Sequence, residues 1–155
     1  MEPNFEDGEY LIIDELGYKQ TAVGIWDWNW FTVKPFKTLE RGDVVVFHPP
    51  LKEDVYYIKR VIGLPGDVIR IHGGVVTIFN TEFPGGKNLN ELAYLSPTVS
   101  TVGDREVTLG TDEYYVLGDN RGVSQDSRSF GPIHKDHVIG KAVFRSWPLY
   151  RYGIL

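Results

Sequence analysis

At 155 residues the chain has the length of one domain, and its net charge of -5 with a pI near 5.3 leaves no basic stripe for tracking nucleic-acid phosphates. It contains no cysteine, which excludes a disulfide framework, a thiol nucleophile and thiolate metal sites. The opening MEPNFEDGEY is acidic and unlike a secretory leader, and no run of ~18 apolar residues is present to span a bilayer.

With 17 glycines and 9 prolines punctuating valine-, isoleucine- and tyrosine-rich runs, the composition predicts many short strands joined by turns. Residues 9–16 form the first, after the Asp7-Gly8 turn signal. Residues 17–40 carry Trp26, Trp28 and Trp30 in strict alternation. That pattern suits a strand burying all three indoles, or an aromatic edge dipping into a lipid interface. Residues 43–48 (DVVVFH) give a second strand between Arg41-Gly42 and Pro49-Pro50, and residues 54–62 (DVYYIKRVI) a third, closed by the turn at Gly63–Asp67. Residues 67–72 and 75–79 flank Gly73-Gly74, a two-residue hairpin signal. Residues 80–105 are polar and broken by glycine and proline, an excursion with one helical turn expected around Asn88–Leu95. Residues 113–117 and 138–145 complete the core strands. The chain is therefore expected to be a single domain over 1–155, with a small insertion at about 74–110.

Chemistry concentrates in two places. Alternation along the third strand puts Val55, Tyr57, Lys59 and Val61 on one face and Tyr56, Ile58, Arg60 and Ile62 on the other. An ammonium among apolar neighbours loses hydration, and its pKa falls. Lysine bases are tuned in this way toward roughly 7–8. The bland alternative is a lysine that snorkels to solvent. The second place is residues 118–132, GDNRGVSQDSRSFGP, where a turn is followed by Ser124, Asp126, Ser127, Arg128 and Ser129. It reads either as a solvated loop with a surface ion pair or as a polar cradle for Lys59.

These segments resemble the type I signal peptidases, serine–lysine proteases, nearly end to end. MEPNFEDGEYLIID (1–14) is similar to the region after the family's nucleophile, usually Ser-Met-x-Pro-Thr followed by Gly-Asp, with Asn4 in place of Thr and Glu9 in place of Asp. RGDVVVF (41–47), YIKRVIGLPGD (57–67), GDNRGVSQDSRSFGPI (118–133) and GKAVFRSWPL (140–149) resemble further family segments in family order. The resemblance implies a mainly β, antiparallel, coiled and barrel-like fold with a small β excursion and an apolar surface resting on the membrane. It also implies that Lys59 is the general base and that Ser124 orients its amine. Asp126 and Arg128 would brace the loop, with Arg60 joining them, while Met1, Phe5, Tyr57 and Ile58 would line shallow pockets for small residues at substrate positions −1 and −3.

The family's serine stands immediately before the methionine matching Met1, a position outside the sequence, as is the membrane anchor further upstream. Residues 1–155 alone are accordingly expected not to cleave peptides. The implied activity is removal of signal peptides from exported preproteins on the extracytoplasmic face of the cell membrane. The alternative is a catalytically dead binding domain of the same fold. Self-cleaving repressors share the chemistry but carry a DNA-binding helical module that is missing here. His134 and His137 lack a third ligand nearby, and Phe130 stands where a calcium loop starting at Asp119 needs glutamate. No metal, nucleotide or other cofactor is expected, and no oligomeric state is assigned.

Overall fold

Short β-branched and aromatic runs between glycine and proline turns pair with one another in antiparallel fashion throughout. The structure, a computed structural model, describes residues 1–18, 21–25, 28–50 and 54–155. The strands are β1 (Tyr10–Asp14), β2 (Thr21–Ile25), β3 (Trp28–Val33), β4 (Val44–Phe47), β5 (Tyr57–Gly63), β6 (Val68–His72) and β7 (Val75–Phe79). After these come β8 (Lys87–Asn88), β9 (Arg105–Thr108), β10 (Glu113–Leu117), a one-turn helix α1 (Ser127–Phe130), β11 (Ile133–His134), β12 (Val138–Trp147) and β13 (Gly153–Ile154).

The main sheet runs β1-β12-β4-β5-β10-β11, with β13 added to β12. Its central strand, β5, is hydrogen-bonded on both edges, half-buried over residues 57–60 and buried on both faces from Val61 on. Val61 faces a core of Val45, Phe47, Tyr114, Val116, Ile133 and Val138. Ile62 faces a second core, built from Ile69, Ile71, Val76, Ile78, Leu109, Tyr115 and Leu117. That second core joins the main sheet to a four-stranded sheet, β8-β7-β6-β9, and β2 pairs with β3 as a separate hairpin.

Between β6 and β7, Gly73 and Gly74 take φ of 58° and 85°, the two positive values that a type I′ turn requires. The helical turn expected over Asn88–Leu95 closes once, Leu95 N–H to Glu91 C=O at 2.8 Å, after Lys87 and Asn88 have paired with β7. At the end of the polar excursion, β9, a strand not expected from the sequence because its residues REVT hide their pairing behind charge, pairs with β6. Of the alternating tryptophans, Trp28 and Trp30 fall on β3, and Trp26 lies outside the described residues.

Candidate active site

Lys59 sits mid-way along β5, opposite Val45 of β4, with β10 on the other edge of the strand. Its Nζ donates to the Ile58 carbonyl at 3.0 Å and lies 5.3 Å from the centre of the Tyr57 ring. No salt bridge among the described residues involves it. Burial pushes the Lys59 amine below the usual lysine range, and the charges of Asp126 and Asp119 only partly oppose that.

The loop leaving β10 is built over this amine. Gly118 donates its N–H to Asp126 Oδ2 at 3.0 Å, drawing the loop back on itself, and Ser124 N–H donates to Asn120 C=O at 3.0 Å. A Cβ at position 118 would meet Ser124 Oγ at 2.0 Å and Lys59 Cδ at 3.5 Å. Glycine is thus needed to let the serine approach the lysine. Ser124 Oγ is buried and has no hydrogen-bond partner. In this arrangement it does not hold the amine, which is turned to Ile58.

Asp126 organises the rest of the loop. It caps α1 by accepting from Arg128 N–H at 3.1 Å, and it takes Arg128 Nε at 2.9 Å and Nη2 at 2.8 Å. Burial alone would push its carboxyl up, but the Arg128 guanidinium and the Gly118 and Arg128 N–H groups outweigh this and hold it below the usual carboxylate range. Ser127 Oγ accepts from Val116 N–H at 2.9 Å, fastening α1 to β10.

Arg60 does not join this pair, contrary to the expectation from sequence. Strand alternation turns it to the opposite face of β5, where it grips Asp119 through Nε at 2.9 Å and Nη2 at 2.7 Å and stacks on Tyr94 at 4.2 Å. The same alternation divides the four residues grouped as a pocket lining. Met1, Phe5 and Ile58 share one apolar cluster with Val44 and Ala142. Tyr57 packs on the other face against Phe47 and Phe130, its hydroxyl donating to Gln125 Oε1 at 3.0 Å. Among the described residues no three His, Cys, Asp or Glu side chains converge as a metal site.

Residues 1–147 match the family described as signal peptidase, peptidase S26. The chain belongs to the signal peptidase I family. It is similar to a probable signal peptidase I-2 of Synechocystis sp., 34% identical over all of this chain and 62% of that protein. It also resembles signal peptidase IB of Staphylococcus aureus, 32% identical over 98% of this chain and 75% of that one. A crystal structure of a signal peptidase I from Enterococcus faecalis superposes with a TM-score of 0.55 at 28% identity, covering 68% of this chain and 97% of its own. The mainly β, antiparallel fold is that of a signal peptidase I. The present chain thus spans just under two thirds of the length of its Synechocystis relative.

Several residues of the site escaped the sequence reading. Arg121 is only 1% exposed, held by Glu91 at 2.5 Å, by Thr101 and by the Gly118 carbonyl at 3.0 Å. It pins the loop to the excursion. Its partners Glu91 and Thr101 lie 30 and 20 residues away, so nothing local betrays the contact. Asn4 donates to Asp119 Oδ2 at 2.8 Å, a link spanning 115 residues.

Proposed function

We propose that this signal peptidase I family member is the catalytic domain of a membrane-associated serine endopeptidase that removes signal peptides from exported preproteins. The observation that carries this reading is the Lys59 amine, desolvated, in no salt bridge among the described residues, and with Ser124 packed close to its side chain over Gly118. An amine kept neutral near working pH can accept a proton from a hydroxyl and return it to the leaving amine. In the family pattern, the hydroxyl it would serve belongs to a serine immediately before the methionine matching Met1. That oxygen attacks the carbonyl after a small residue, forming an acyl-enzyme as the peptide amine leaves, and water then releases the signal peptide.

Met1, Phe5 and Ile58 line the pockets for substrate positions −1 and −3, and Tyr57 walls the amine from behind. Ser124 orients that amine once Nζ turns away from Ile58. Asp126 and Arg128 keep the loop in place. Residues 1–155 act as one domain, in which the excursion at about 74–110 is an insertion tied to the site by Arg121.

No helix among the described residues is long and apolar enough to cross a membrane. Membrane contact is assigned to the exposed Tyr10 and Trp147, paired across β1 and β12, and to the exposed Leu149, Tyr150, Tyr152 and Ile154 that follow them in the chain. Such amphipathic rings suit the headgroup region on the extracytoplasmic side.

The decisive assay compares residues 1–155 with the same chain carrying a serine directly before Met1, using a preprotein with small residues at −1 and −3. Cleavage only when that serine is present is expected; binding without cleavage in both would favour the non-catalytic domain. In the serine-bearing chain, Ser124→Ala should weaken turnover by about tenfold, the worth of one orienting hydrogen bond, without abolishing it. Loss beyond detection in a steady-state assay would instead make Ser124 an obligate participant.

A further inference from the structure

The segment before β1 makes no strand pairing of its own, yet it is the segment on which the proposed nucleophile rides. Residues 1–5 close into a tight turn, with the Met1 carbonyl accepting from the N–H groups of Asn4 and Phe5 at 3.1 Å. Asn4, bonded to Asp119 and to the Tyr94 carbonyl, and Phe5, in its apolar cluster, tie this turn to the body, and two arginines from the far end of the chain add to their hold.

Arg145, near the end of β12, donates Nη2 to the Asn4 carbonyl at 2.5 Å, sets Nε 3.0 Å from Glu9 Oε2, and lies over the Phe5 ring at 5.0 Å. Arg151, in the 3₁₀ turn after β12, sets Nη1 2.9 Å from Glu6 Oε1 and 3.1 Å from Glu9 Oε1. Its Nη2 donates to the carbonyls of Asn4 at 3.3 Å and Pro3 at 3.4 Å. The Glu9 side chain is only 4% exposed between these two guanidiniums. Two guanidiniums thus share one nearly buried carboxylate, paired with it as charges without hydrogen-bond geometry, and only the loss of both would strand it. Arg151 also lies beyond residues 1–147, the part of the chain that matches the family.

We infer that Arg145 and Arg151 are positioning residues that clamp the nucleophile-bearing segment onto the sheet that carries Lys59. The inference rests on the proposed serine–lysine function and deepens it. The arginines touch neither substrate nor reacting atoms. Their effect is to fix where Met1, and hence the serine before it, stands relative to the amine. A displacement of ~1 Å in such geometry costs up to ~10²-fold in rate.

The test uses Arg151, since Arg145 remains to neutralise Glu9 when Arg151 is removed and the fold survives. In the serine-bearing chain, Arg151→Ala should lower kcat about tenfold with KM within about twofold, and Arg151→Lys should recover part of the loss. Arg70→Ala, which breaks an exposed pair in the remote sheet, serves as the control. In residues 1–155 alone, amide exchange at residues 4–9 should accelerate in Arg151→Ala while β10 keeps its protection. Unchanged exchange at residues 4–9, or a kcat equal to that of Arg70→Ala, would overturn the clamp. Lys59→Ala in the same series separates the two ideas. If it is inactive while Arg151→Ala turns over normally, only the clamp falls. If Lys59→Ala remains fully active, the serine–lysine reading falls, and amide exchange alone then decides whether the clamp exists.

Discussion

Lys59→Ala is expected to reduce cleavage of a signal-peptide substrate by at least about 10³-fold in the serine-bearing chain, the upper range of what a general base contributes. The fold should persist, because the Lys59 amine makes one hydrogen bond, to a backbone carbonyl, and no salt bridge among the described residues. The sign of its pH effect follows from burial. A lysine whose folded pKa is depressed binds fewer protons in the fold than in the unfolded chain, between the folded value and the unfolded value of about 10.4. Stability therefore rises with pH across that window, and below it Lys59 costs the fold free energy. Lys59→Ala removes this cost, so thermal unfolding at neutral pH should show a variant at least as stable as the parent. Activity, in contrast, should climb on an alkaline limb whose midpoint lies below that of an ordinary lysine. A Lys59→Ala protein that cleaves at the parental rate would end the assignment of the base.

Asp126→Ala should produce the largest loss of stability, about 3–5 kcal/mol, because it leaves a buried guanidinium without its counter-ion. Asp126 is fully buried, and its carboxylate receives Arg128 twice through the guanidinium and the N–H groups of Gly118 and Arg128. With roughly 2–4 °C per kcal/mol at this size, the midpoint of thermal unfolding should fall by about 10 °C. The depressed carboxyl contributes stability that is complete above the unfolded value of about 3.9 and is lost as pH falls through the lower, folded value. The acid limb of the parent's stability curve should accordingly flatten in Asp126→Ala. A midpoint within 2 °C of the parent would show that the pair is a surface decoration after all.

Local pattern sufficed wherever one strand explains itself. Val75–Phe79 and Glu113–Leu117 form strands with the bounds expected from the sequence, and the Gly73-Gly74 turn needed only its two glycines. Lys59 was legible because Val55, Tyr57 and Val61 flank it on its own face of the strand, and the Asp126–Arg128 pair because only Ser127 separates its partners. Arg60 was misplaced. Its chain distance from Asp126 and from Asp119 is similar, and only the pairing of β5 with β10 decides which carboxylate it meets.

By itself, then, the amino-acid order determined the family, the mainly antiparallel architecture and the residues proposed to carry the chemistry, since each is written in short-range periodicity or in contiguous motifs. Tertiary structure alone decided the ion-pair partners of Arg60, Arg121, Arg145 and Arg151, the pairing of β9 with β6, and the division of Tyr57 from Met1, Phe5 and Ile58. The physical reason is reach. A charged side chain selects its partner by proximity through a folded core, and contacts such as Asn4 to Asp119 bridge segments that the chain itself keeps far apart.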